Sequence, residues 1–227
     1  MVALSISLIE VFRDEIGQRI SGEYISLVFD DDPALCQFTQ HDAFEEGHHD
    51  CVVVRIRVKN TGNRASRGVR VLLTGVRISD GGEWKPDTGF CPIHLTWIHT
   101  DPGYLLPILP AKSDYLLNIG ILIPPGTTPT DANRAYEPER FPAECAMLQL
   151  FTQKYPANNS SFLNPGLYQF DYQVLTERGV RGEGFVEFEV PANPDFLRQP
   201  SDLMKLTAGR RRGRYGQRLF QSIRSTY

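Results

Sequence analysis

Val52-Val53-Val54-Arg55-Ile56-Arg57-Val58-Lys59-Asn60-Thr61-Gly62-Asn63 is the stretch whose reading decides the fold. In an extended strand Val52, Val54, Ile56 and Val58 share one face, and Val53, Arg55, Arg57 and Lys59 share the other. A helix would scatter these residues around its circumference; the two-residue period of a strand sorts them into a dry row and a wet row. One covered face and one wet face is the pattern of an antiparallel sheet. Asn60-Thr61-Gly62-Asn63 then reads as a turn, because Asn and Gly tolerate left-handed backbone. Beyond it Val69, Val71 and Leu73 form the next inward row, with Arg70 and Thr74 outward.

The same period runs outward in both directions. Leu4, Ile6 and Leu8 alternate with serines, and Ile25, Leu27 and Phe29 follow suit. Downstream, Cys91, Ile93, Leu95 and Trp97 form a row, as do Tyr115, Leu117, Ile119, Ile121 and Ile123 before Pro124-Pro125 ends the strand. Residues 146–152 are another strand. Tyr168, Phe170, Tyr172 and Val174 pair across Gly179 with a strand in which Val186, Phe188 and Val190 alternate with Phe185, Glu187 and Glu189. Helical periodicity is confined to one short turn at 12–20. Residues 78–90, 100–112 and 126–144 read as long loops, and a polar loop runs up to Asn164. Some nine strands joined this way predict an all-β, two-sheet antiparallel sandwich of immunoglobulin-like type. Residues 1–193 make one domain, and 194–227 a basic C-terminal extension.

Two stretches resemble a known group. The strand 52–59, the Asn60-Thr61-Gly62 turn, Ala65 and Val69-Arg70-Val71-Leu72-Leu73 resemble the valine strand, N-x-G turn and V-x-V-x-L strand of bacterial immunoglobulin-like domains of the CARDB-like group. Pro165-Gly166-Leu167-Tyr168-Gln169-Phe170, with Val174, Val186, Phe188 and Val190, resembles the closing hairpin of many immunoglobulin-like sandwiches. There a Tyr near a strand start makes a tyrosine corner, its hydroxyl bonding a nearby backbone group. The resemblance covers a third of the chain. It implies a scaffold used for binding, with no catalytic site to carry over.

Composition narrows the class. Of 227 residues 41% are apolar and 11% aromatic, enough for a packed core and too many for general disorder. The four cysteines, Cys36, Cys51, Cys91 and Cys145, are too few and too irregularly spaced for a disulfide framework. With no basic leader and no apolar run near the roughly 20 residues of a membrane helix, the expectation is a cytoplasmic protein with free thiols.

Two constellations are candidates for chemistry. Cys36, His41, His48, His49 and Cys51, followed by Cys91, His94 and His99, hold zinc-ligand residue types. Their spacing matches no standard knuckle, and histidines in a polar loop beside cysteines acting as small hydrophobes explain them as well. Asp30-Asp31-Asp32 is a calcium-type carboxylate cluster or, more plainly, a solvated strand end. The chain has no Gly-x-Ser-x-Gly elbow, Gly-rich phosphate loop or His-Glu-x-x-His. No enzyme activity and no cofactor is expected.

Charge is segregated along the chain. From Ile20 through Val54 there are eight acids (Glu23, Asp30, Asp31, Asp32, Asp42, Glu45, Glu46 and Asp50) and no Lys or Arg. From Leu203 to Tyr227 there are seven bases (Lys205, Arg210, Arg211, Arg212, Arg214, Arg218 and Arg224) and no acid. Taking those seven from the 24 Lys and Arg leaves 17 against all 27 Asp and Glu, so a net charge of -3 conceals a tail near +7 on a body near -10. The tail interleaves apolar groups, of which Leu219, Phe220 and Ile223 could share a helix face, while Gly209, Gly213 and Gly216 oppose a free helix. It fits an acidic protein surface, including residues 30–50 of a second copy, or nucleic acid, where arginine neutralises phosphate. A membrane surface fits less well for want of a clean apolar stripe.

The functional expectation is a non-catalytic binding or assembly module, a protein-interaction or self-associating subunit of a larger bacterial assembly. Arg210, Arg211, Arg212, Arg214, Arg218 and Phe220 would contact the partner from the tail. Trp84 and Tyr104 would do so from the loops, with Phe90 and Tyr136 beside them, and the outward face of 51–59 would contribute. The alternatives are a nucleic-acid-binding accessory protein using the arginines, and a metal-binding protein or enzyme using Cys36, His41, His48 and His49.

Overall fold

A computed structural model describes residues 22, 24–29, 32–41, 49–98, 103–126, 144–152, 161–193 and 206–209. The strand expected at 4–8, the helical turn at 12–20 and most of the connection 126–144 lie outside the described residues. In chain order the strands are β1 (Ile25–Val28), β2 (Cys36–His41), β3 (His49–Asn60), β4 (Ser66–Asp80), β5 (Glu83–Pro86), β6 (Ile93–His94) and β7 (Thr96–Trp97). They continue with β8 (Leu106–Leu109), β9 (Ser113–Ile123), β10 (Met147–Leu150), β11 (Phe162–Leu163), β12 (Gly166–Thr176), β13 (Gly179–Val190) and β14 (Leu206–Gly209). One sheet has the order β1-β3-β9-β10-β11, with β2 also on β3 and β7 also on β9. The other has the order β14-β13-β12-β4-β5, with β6 and β8 also on β4. All pairings are antiparallel, and the two sheets pack as an immunoglobulin-like sandwich.

The core lies between the sheets. Val52, Val54, Ile56 and Val58 of β3 are fully buried against Val69, Val71, Tyr172, Val174 and Phe188 of the facing sheet. Phe170 and Phe188 stack at 5.1 Å and Tyr168 lies 5.8 Å from Phe188, giving this end an aromatic centre. The Trp97 indole N–H donates to the Val69 carbonyl at 3.2 Å, so the largest side chain in the core leaves no orphan donor. The Tyr168 hydroxyl donates to the Asn164 carbonyl at 2.8 Å, which is the tyrosine corner that the sequence around Pro165 implied.

Bulges redirect the rows. Between Arg55↔Asn118 and Val54↔Gly120 the strand β9 carries one extra residue, Ile119. Leu117 and Ile119 therefore face the core, and so does Leu122, while Ile121 and Ile123 turn to the outer face. The single inward row expected for 115–123 is thus two half-rows of opposite sense. The outer face at that end is not wet, as alternation alone suggested. Cys51, Val53, Ile121, Ile123, Met147 and Phe162 form a second buried cluster there, each at most 8% exposed. Thr74 is the corresponding extra residue on β4 and Arg181 on β13.

Strands also occupy segments read as loops. Asp80 and Glu83 pair across Gly81 and Gly82, whose φ of 60° and 90° suit a tight hairpin, so 78–90 contains β5. Strand β8 lies in the 100–112 segment, and β2 and β11 replace polar loop. The Asn60-Thr61-Gly62 turn does not use left-handed backbone at Asn60, Gly62 or Asn63. Gly62 is needed for proximity instead: a Cβ there would meet the Gly22 carbonyl oxygen at 2.1 Å. A comparable approach joins the sheets along one flank, where a Cβ on Gly182 of β13 would lie 2.4 Å from the Ile25 carbonyl oxygen of β1.

Candidate functional site

The tail arginines Arg210, Arg211, Arg212, Arg214 and Arg218, with Phe220, lie outside the described residues, but their point of departure does not. Leu206–Gly209 pairs antiparallel with Phe185–Phe188, and Ala208 packs against the core. Sequence reading set residues 194–227 apart from the body as an extension; within it Leu206–Gly209 form the edge strand of a sheet. The physical reason is the outer edge of β13, a row of backbone N–H and C=O groups that β12 leaves open. The arginine-rich stretch therefore starts at a fixed place, opposite Phe185.

The loop aromatics are partly committed elsewhere. Trp84 is half-buried on β5 opposite Ser79. Tyr104 is half-buried with its ring 6.0 Å from the His94 imidazole. Phe90 packs edge-to-face on Phe170 at 5.5 Å and plugs the core. Tyr136 lies outside the described residues.

The outward row of β3 is tied into its own sheet. Arg55 donates to the Ala34 carbonyl at 3.2 Å and to Asn118 Oδ1 at 3.4 Å. Arg57 lies between Asp32 and Asp114, bonding both. Asp32 is fixed twice over: Oδ1 accepts from the Ala34 amide at 2.9 Å and Oδ2 from Arg57. The Ala34 amide, then Arg57, hold its carboxyl below the usual carboxylate range. This carboxylate is a cap and an ion-pair partner; Asp30 and Asp31 lie outside the described residues. In that row Lys59 alone is exposed.

The histidine and cysteine candidates separate. Cys36 lies opposite Val54 and is buried in the core, where loss of solvent pushes its thiol up to about 11. A thiol so protonated is a poor nucleophile and a poor metal ligand at neutral pH. By contrast, the β2–β3 register places His41 directly opposite His49, with Thr39 opposite Cys51 two positions on. His48 and His99 lie outside the described residues. His94 stands apart on β6, half-buried, its Nδ1 buried without a hydrogen-bond partner among the described residues. Among the described residues no group of three or more His, Cys, Asp and Glu is arranged to hold a metal ion.

Sequence reading missed the opposition of His41 and His49 because residues 36–41 were not read as a strand. The signal was present: Gln37, Thr39 and His41 alternate with Cys36, Phe38 and Gln40, and a short connection returns to His49. Compared with protein-family models, with curated proteins and with solved structures, the chain matches none of them. No helix among the described residues is long and apolar enough to cross a membrane.

Proposed function

We propose that this protein is a non-catalytic binding module of the immunoglobulin-like type, in which a rigid sandwich presents an arginine-rich C-terminal segment to an acidic protein surface. The observation that carries the reading is the edge strand β14, which gives Arg210–Arg218 a fixed root on the body. Anchoring lowers the conformational entropy lost when such a segment docks. A second copy is the partner favoured by charge, since residues 20–54 supply eight acids and no base. The hairpin that resembles the CARDB-like group and the closing hairpin that resembles those of immunoglobulin-like sandwiches support the same scaffold role.

The test compares the full chain with one ending at Gly209, which keeps β14 and removes six arginines. Sedimentation at low and high salt should show association of the full chain that weakens as salt screens it, and a monomer at both salts for the shortened chain. Equal behaviour of the two chains would refute the reading. Retention of the full chain on RNA or DNA at low salt, lost on shortening and with no self-association, would point to the nucleic-acid alternative.

A further inference from the structure

We propose that copies of this chain associate end to end, the basic end of one sandwich docking on the acidic end of the next. This rests on the self-association proposed above for the arginine-rich segment, and names the surface that accepts it. The basic end is built by the turn after β3, the turn before β9 and the β12–β13 turn. Backbone bonds hold the three together. The Lys112 amide donates to the Gly62 carbonyl at 3.3 Å, Asn60 Nδ2 donates to the carbonyls of Arg64 and Pro110, and the Glu177 amide donates to the Arg67 carbonyl at 3.0 Å. Lys59, Arg64, Arg67 and Lys112 are thereby gathered at one end. All four are exposed, and none has an ion-pair partner among the described residues. Two acids share this end, Asp114, which is bonded to Arg57, and Glu177, so the balance stays positive.

The opposite end carries the other sign. Strand β4 runs from the basic end to the β4–β5 hairpin, where Asp80, Glu83 and Asp87 are exposed. Lys85 is bonded to Asp80 at 2.5 Å, which leaves the hairpin net negative, and exposed Glu189 of β13 lies at the same end, opposite Leu167. The exposed large apolar side chains among the described residues follow the same division. Ile108, opposite Arg67, lies toward the basic end with Tyr115 and Val180; Ile78, opposite Lys85, lies toward the acidic end with Leu167. Each end thus offers charge that selects a partner and apolar surface that gains from being covered. The last described strand points the same way. From Leu206 opposite Phe188 to Gly209 opposite Phe185, β14 runs toward the β12–β13 turn, so the chain leaves it heading for the basic end. Contact between two different surfaces is heterologous, and it propagates from copy to copy unless it closes into a ring.

The test reverses the charge of each end in the full chain and then mixes the products. One variant carries Arg64→Glu with Lys112→Glu, the other Glu83→Lys with Asp87→Lys; all four positions are exposed, and circular dichroism and thermal melts confirm folding. In sedimentation at low salt the average mass of the parent should climb past that of a dimer as concentration rises. Each variant alone should associate about tenfold more weakly or worse, because like charges then face each other. An equal mixture of the two should recover association, since the reversed ends complement one another, and raised salt should dissolve it. Variants that associate as the parent does, a mixture no better than its components, or a parent that stops at a dimer would overturn the proposal. Loss of association on shortening to Gly209 without any effect of the reversals would sink this contact alone, whereas a monomeric parent would sink the reading it rests on as well. Retention of the parent on RNA or DNA, lost with Arg64→Glu and Lys112→Glu and without self-association, would overturn it in favour of a nucleic-acid partner.

Discussion

Asn60 has no exposed surface, and its amide group is wholly engaged with backbone. Its Nδ2 donates to the carbonyls of Arg64 at 2.8 Å and Pro110 at 3.0 Å, and its Oδ1 accepts from the Gly62 amide at 3.0 Å. It therefore joins the turn after β3 to the turn before β9, across the two sheets. Asn60→Ala leaves these groups buried and unpaired, and should cost about 2–3 kcal/mol. Gly62→Ala forces a Cβ against the Gly22 carbonyl, a backbone atom that cannot step aside, and should cost about 1–3 kcal/mol. Urea denaturation midpoints check both. His94 gives a pH effect whose sign follows from its surroundings. Burial first, and then Arg70, hold its imidazole below the ordinary 6.5. The unfolded chain takes up that proton at higher pH than the folded chain does. Stability from this group is complete above 6.5 and is lost as pH falls through the folded value. His94→Gln should flatten the fall in melting temperature on acidification, measured by thermal melts across that range.

At the scale of elements, β14 makes a separable contribution. A chain ending at Lys205 exposes the β13 edge at Phe185–Phe188, and bare edges recruit other strands. Light scattering should therefore rise with time for that chain and stay low for the one ending at Gly209. Much of the sandwich was legible because the period of a strand is written directly in its residues. Val52 to Val58 and Tyr168 to Val190 needed no tertiary knowledge, and the tyrosine corner was implied by the resemblance of Pro165 to Phe170 to an immunoglobulin-like closing hairpin. What alternation could not supply was the position of a bulge. Ile119 looks like one more member of its row, yet the register between Val54 and Arg55 makes it the extra residue and reverses everything after it. Nor does a strand carry a mark saying that both its faces are covered, so Val53 read as wet although it is 8% exposed. Short partners such as β5 and β8 were hidden by Gly, Pro and charge. Their pairing depends on the long edge of β4, which is a property of the neighbour.

At the scale of the molecule, the candidate site was legible only in part. Charge segregation is visible in composition alone, and so are the arginines. The root of the tail is a product of register between segments some twenty residues apart, which no local pattern contains, whereas the facing of His41 with His49 belongs to a local hairpin whose strand period was missed. The flank where Gly182 of β13 abuts the Ile25 carbonyl of β1 gives the sandwich a spine. With main chain pressed on main chain there, the two leaves cannot part along that side without first breaking the binding. Loosening is easier away from that flank, at the exposed hairpin strand β5, like a book that opens at its fore-edge.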